Sequence, residues 1–325
     1  MKMIEVKNLV KRFPVKVGFI KKTEKFVHAV DGVTFDINKK ETLGLVGESG
    51  CGKTTTARLV LRLIDPDCGE VFFKGVDILR LNEEKLFDVR KKMQMIFQDP
   101  SSALNPRKTV KYILSRPMSV HGLCKEDEID QRVEELLKVV NLEPPHLFVD
   151  RYPHELSGGQ KQRVVVARAL SLNPEFIVAD EPVSFLDVSI RGQILNLLKG
   201  LQKKFELTYL FISHDLSVVQ WVCDRVAVMY LGKIVELVDA PELFEGSLHP
   251  YTRALISSIP KPSPREARAR KKIILKGEVP SPITPPPGCR FHTRCPYVKP
   301  ICRREEPILQ FIGRRHQIAC HLYGS

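Results

Sequence analysis

Eight residues, Gly47-Glu48-Ser49-Gly50-Cys51-Gly52-Lys53-Thr54, have the types and spacing to cradle a phosphate chain. They match G-x-x-x-x-G-K-[ST] at every fixed position. Glycines let the backbone turn its amides around anionic oxygens. Lys53 can reach β- and γ-phosphates, and the Thr54 hydroxyl can serve Mg²⁺. Thr55 opens a helix-like segment whose N-terminus adds unpaired amides. Two adjacent acids, Asp180 and Glu181, close the apolar run Phe176-Ile177-Val178-Ala179. A carboxylate at the end of a buried strand can hold Mg²⁺, and its neighbour can take a proton from an attacking water. His214 follows another apolar run and could contact a γ-phosphate, although a lone histidine is more often structural. In Leu156-Ser157-Gly158-Gly159-Gln160, Ser157 is a natural helix cap, and the amides behind it form a second anion site.

These residues need elements to position them. Residues 4–10 alternate as a half-buried strand does, and Lys11-Arg12-Phe13-Pro14 ends it, leaving Phe13 in a loop. A lysine-rich insertion with Lys16, Lys21, Lys22 and Lys25 reads as a solvated hairpin tip. Strands follow at 29–37 and 42–46, a short hairpin at 71–78, a helix at 85–92 and a strand at 93–97 that stops at Gln98. Residues 101–106 are all turn chemistry. The largely helical stretch from about 107 to 165 reads as an insertion between strands of an α/β core. A helix from Ser157, a strand at 176–179, a helix at 189–204, a strand at 208–212 and a hairpin at 226–237 around Gly232 complete the pattern. The order predicts an α/β core around the phosphate loop. An N-terminal antiparallel β subdomain, the inserted helical subdomain and a small Cys-rich C-terminal extension are added to it. Domain limits are expected at 1–250 and 251–325.

A chain of 325 residues with 43% hydrophobic and 27% charged residues is an ordinary globular composition. No apolar run reaches the ~18 residues of a membrane span, and the N-terminus lacks a signal-like apolar core, so a cytoplasmic location is expected. The net charge of +13 invites a nucleic-acid reading. Residues 251–325, however, hold fifteen Lys/Arg against four Asp/Glu, which leaves the nucleotide-binding body close to neutral and argues against it. Residues 261–287 are basic and proline-rich, and read as a semi-extended arm. Cys51, Cys68, Cys124 and Cys223 are scattered and read as reduced thiols, whereas Cys289, Cys295, Cys302 and Cys320 crowd into the tail as C-x₅-C-x₆-C-x₁₇-C. Disulfides are disfavoured in a cytosolic protein. Zinc, a [4Fe–4S] cluster or an empty reduced site remain for this group.

Leu156–Gln160, placed between a phosphate loop and an Asp-Glu-Pro strand end, resembles the ATP-binding cassette family over roughly residues 4–255. The resemblance implies a P-loop NTPase (RecA-like) core, and ATP and Mg²⁺ as ligands, held by Gly47 to Thr55, with Thr54, Gln98 and Asp180 on the metal. It implies Glu181 as general base, with His214 and Gln98 holding the water, and Phe13 as the aromatic on which adenine stacks. It further implies that Leu156, Ser157, Gly158, Gly159, Gln160 and Asp187 meet the ATP of an opposing cassette, so that nucleotide closes a dimer. Phe185 departs from the family's small residue there. Leu248-His249-Pro250-Tyr251, Gly277-Glu278-Val279-Pro280 and Gly288-Cys289 resemble the oligopeptide/dipeptide importer branch. That branch implies a [4Fe–4S] cluster on Cys289, Cys295, Cys302 and Cys320. It also implies a second, paralogous ATPase in a heterodimer, two membrane permeases, an external solute-binding protein and a peripheral place on the cytoplasmic membrane face. Peptide uptake is the implied task, with oligosaccharide or nickel import as the alternative cargo.

Overall fold

The computed structural model describes residues 1–17, 23–259, 273–313 and 315–323. Lys21, Lys22 and residues 261–272 of the basic arm lie outside the described residues. Two compact units result. One comprises residues 2–37, 41–79 and 213–325; the other comprises residues 1, 38–40 and 80–212.

In the first of these, β1 (Lys2–Val17) and β2 (Thr23–Asn38) are long neighbouring strands of a four-stranded sheet. Ile4 and Val6 are buried while Lys7 faces out, the period-two pattern of a half-buried strand, and Leu9 is buried past an irregularity between Lys7 and Val10 that changes the phase. β3 (Thr42–Val46) is buried at every position and leads through the phosphate loop into α1 (Lys53–Val60). β4 (Cys68–Phe73) pairs with β1 from Ile4↔Phe73 to Val10↔Cys68, and β5 (Val76–Asp77) closes the sheet in the order β2-β1-β4-β5. The expected loop at Phe13 is a correction, because Phe13 lies within β1. Beyond Val10 the pairing with β4 has ended, and an edge setting of that kind tolerates Pro14.

The second unit runs through α2 (Glu83–Lys92), β6 (Met93–Ile96), α3 (Pro100–Ala103), α4 (Val110–Val120), α5 (Ile129–Val139), α6 (Gly158–Leu170), β7 (Phe176–Asp180), α7 (Val188–Phe205) and β8 (Thr208–Ser213). β6, β7 and β8 are parallel, with Met93 opposite Phe176 and Phe176 opposite Thr208. Helices α4 and α5 bury one stripe each, among them Ile113 and Leu114, and Leu136 and Leu137, whereas α6 is buried on all sides from Val164 to Ala167. One turn of helix, α3, replaces part of the expected turn at 101–106. Asp99 caps it, accepting the amides of Ser101 and Ser102.

The first unit resumes with α8 (Leu216–Val222), β9 (Arg225–Tyr230), β10 (Lys233–Asp239), α9 (Ala240–Gly246) and α10 (Pro250–Ser257). β9 runs parallel to β3, and the β9–β10 turn has positive φ at both Leu231 and Gly232, as a tight hairpin requires. β11 (Gln310–Phe311) and β12 (Gln317–Ile318) then extend the same sheet, Ile318 pairing with Glu236 of β10. Tyr230, Tyr251 and Phe291 are buried together, their ring centroids 4.7–5.5 Å apart. Beside them Glu236 accepts the amides of Leu248 and His249, and its Oε1 lies 2.8 Å from His316 Nε2. Burial raises the Glu236 carboxyl, but these hydrogen bonds hold it below its ordinary value.

His249 caps α10 through Nδ1, which accepts the Tyr251 amide. Burial pushes its imidazole down to about 4, against the pull of Glu236. The folded side chain stays neutral while the unfolded one binds a proton near pH 6.5. The stability is therefore complete above that pH and is lost as pH falls towards 4, by on the order of 3 kcal/mol. Urea titrations between pH 7.5 and 4.5 are expected to show this slope, and His249→Asn, which keeps a capping side chain, should flatten it.

Candidate functional site

β3 delivers Gly47 and α1 begins at Lys53, so the phosphate loop is a strand-to-helix turn. A Cβ at Gly47 would collide with the Met229 carbonyl oxygen, and one at Gly52 with that of Ala29. These glycines answer first to the protein's own backbone. Around Gly50 there is open space, as a loop that receives a ligand needs. Lys53 is buried and donates to the carbonyls of Gly47 (2.8 Å) and Glu48 (3.1 Å), which keeps its ammonium inside the loop. The Cys51 thiol is buried, and burial pushes its pKa up, so it packs as a neutral group. Ser49, Thr54 and Thr55 complete the described loop.

Two residues grip Glu48. Its amide donates to the Tyr251 hydroxyl (2.9 Å), and its carboxylate receives both terminal nitrogens of Arg294 (2.8 and 3.2 Å). Sequence reading singled out Tyr251 only as part of a branch motif and did not single out Arg294. No local periodicity links either to the loop. His214 is held between the end of β8 and Asp215, which caps α8 by accepting the Ser217 amide. With Gly47, Glu48, Asp215 and Leu255 it lines a cavity of about 350 Å³. Phe13 is partly exposed on β1, with Lys11 Nζ 5.7 Å from its ring centre.

In the other unit, β7 carries Asp180 to its buried C-terminal end. Glu181 follows with a left-handed backbone (φ 45°), and its amide donates to the Ile212 carbonyl. Its Oε2 accepts from Gln98 Nε2 (3.0 Å) and from Ser184 Oγ (2.8 Å). Gln98 and Glu181 are thus brought together as expected. Ser184, the second donor, was missed, and only its place three residues on hinted at it. Ser157 caps α6 by accepting the Gln160 amide, while the Gln160 side chain accepts the Ser157 amide (2.9 Å). Gly158 stays exposed at that helix start, and Leu156 is buried beneath it. Asp187 stands exposed ahead of α7 and makes no capping hydrogen bond from its side chain.

The cysteine expectation gains no support. Burial raises the Cys289, Cys295 and Cys320 thiols, Cys289 to about 12, and neighbouring cysteines add to each shift. Among the described residues, however, no group of three or more His, Cys, Asp or Glu side chains is disposed to hold a metal ion. Neither a [4Fe–4S] cluster nor zinc is therefore assigned to them. The tail is fastened by other means. Arg290 binds Asp31 and the Leu231 carbonyl, Phe291 enters the aromatic cluster, and β12 pairs with β10. Magnesium is a different case, because it takes few protein oxygens and fills its shell from phosphate and water. The hydroxyl of Thr54, the amide oxygen of Gln98 and the carboxylate of Asp180 are the hard donors that suit it.

Fold and motifs together define an ATP-binding cassette. A family model described as ABC transporter matches residues 30–184, and one for the oligopeptide/dipeptide transporter C-terminal region matches residues 235–302. The oligopeptide transport ATP-binding protein AppF of Bacillus subtilis (strain 168) is 54% identical over 99% of this chain and 98% of its own. A putative oligopeptide transport ATP-binding protein, YkfD, of the same organism is 52% identical over 96% of this chain and 94% of its own. Among solved structures, the post-hydrolysis dimer of the cassette MJ0796 bound to ADP and Pi is 30% identical with a TM-score of 0.64, covering 73% of this chain and 99% of that one. The chain belongs to the ATP-binding subunits of the oligopeptide/dipeptide ABC transporter family, which couple ATP hydrolysis to peptide import. Among the described residues no helix is long and apolar enough to cross a membrane.

Gly52 has φ +108° as well as its close approach to Ala29. Gly52→Ala is therefore expected to lower folding stability by at least about 1 kcal/mol and to weaken MgATP binding more than tenfold. Chemical denaturation and nucleotide titration of the same protein check both.

Proposed function

We propose that residues 47–55 bind the phosphates of ATP in a subunit that energises uptake of di- and oligopeptides. Lys53 and the loop amides hold the β- and γ-phosphates, and adenine stacks on Phe13. Thr54, Gln98 and Asp180 are the residues that would hold Mg²⁺, which when bound would supply charge neutralisation for the phosphates. Glu181 takes a proton from water as its oxygen attacks the γ-phosphorus, the bond to the β-phosphate oxygen breaks, and ADP and phosphate leave. His214 contacts the γ-phosphate and keeps the water in line. One observation carries this reading: two donors, Gln98 and Ser184, aim the Glu181 carboxylate from a backbone fixed in the left-handed region.

The reading extends to a dimer with a second, paralogous cassette. Ser157 to Gln160 of each subunit, with Leu156 packed beneath, then face the ATP held by the other. Phe185 and Val188 are 66% and 83% exposed on either side of Asp187, and supply apolar surface for that contact. Two permeases anchor the pair to the cytoplasmic face of the membrane, and an external solute-binding protein delivers the peptide.

Glu181→Gln keeps the hydrogen-bonding shape but cannot take the proton. Phosphate release by the assembled importer is expected to fall at least about 10²-fold while MgATP still binds. Turnover equal to wild type would remove Glu181 from the role of base. In membrane vesicles carrying the importer, labelled oligopeptide uptake should require ATP and should not be competed by oligosaccharide or nickel. Competition by either would reassign the cargo.

A further inference from the structure

Glu48 puts a carboxylate into a loop whose amides and lysine suit a polyanion. Its charge is met fork on fork by Arg294, at 2.8 and 3.2 Å. Paired forks of this kind fix direction as well as charge. The Arg294 side chain is only 9% exposed, its guanidinium lies 6.0 Å over the Tyr230 ring, and its amide donates to the Phe291 carbonyl. The fork therefore stands on a rigid, buried platform. Tyr251 holds the amide of the same glutamate. Backbone and side chain of Glu48 are both set by residues far along the chain.

We infer that Arg294 is a positioning residue for nucleotide binding, neutralising and orienting Glu48 so that the phosphate loop meets ATP without an opposing carboxylate. This rests on the reading of residues 47–55 as the ATP site. Arg294 acts through Glu48 and not on the reacting atoms. Its loss should fall on KM and Kd for MgATP and leave kcat nearly unchanged.

The test is calorimetric titration of the full chain with MgATP, with thermal melts to confirm folding. Arg294→Ala is expected to weaken binding about tenfold. Glu48→Gln removes the charge that needs neutralising, so in that background Arg294→Ala should cost less than about threefold. Arg294→Lys keeps the charge and the packed stem but loses the fork, and should cost about threefold; it decides the matter if the alanine variant does not fold. Unchanged binding in both single variants overturns the inference, and so does a tenfold loss that persists beside Glu48→Gln. Lys53→Ala separates the two readings. If it binds MgATP like wild type, the loop itself has been misread. If it loses binding while the Arg294 variants do not, only the role of Arg294 fails.

Discussion

Three buried rings hold the glycine-rich loop at residues 47–54 to the tail of the chain. Tyr230 ends β9, Tyr251 lies on α10 and Phe291 belongs to the tail, and each touches the other two. Aromatic side chains of this size remove some 150–250 Å² each from water, so the junction is a large fraction of the local core. Each ring also serves the loop in another way. Tyr251 lends its hydroxyl to the Glu48 amide, the Tyr230 ring lies beneath the Arg294 guanidinium, and Phe291 fixes the backbone that presents Arg294. Packing and polar contacts at the loop are therefore one structure. A change that loosens the rings moves the polar groups with them.

The Glu181 carboxylate depends on a different constraint. Glu181 adopts a backbone conformation that costs a non-glycine residue about 1–3 kcal/mol. The cost is borne because the Ile212 carbonyl receives its amide, and because β7 and β8 are paired up to Asp180 and Ile212. A relaxed backbone would point the carboxylate elsewhere, and the hydrogen bonds from Gln98 and Ser184 could not form together. The acid is placed by the sheet and aimed by its neighbours.

Much of this was legible in the sequence. The strands expected at 42–46, 176–179 and 208–212 were readable because parallel strands buried on both faces are continuous apolar runs, and the last two run one residue further than expected. The caps at Ser157 and the phosphate loop were readable because helix starts and phosphate turns admit few residue types. Other features were hidden for physical reasons. Phe13 and Pro14 look like a strand end, yet they continue β1 where its pairing with β4 has finished. Asp99-Pro100-Ser101-Ser102 carries signals shared by a turn and by a single helical turn. Tyr251 and Arg294 lie 203 and 246 residues from Glu48, beyond the reach of any periodicity.

That last separation has a consequence for how the chain is made. At ~5–20 residues per second, the ribosome adds Arg294 roughly 12–50 s after Glu48. Throughout that interval the nascent phosphate loop carries its carboxylate without the cation that later neutralises it. Tyr251, which fixes the loop backbone, emerges before Arg294. The loop backbone can therefore be fixed before the Glu48 carboxylate meets its cation.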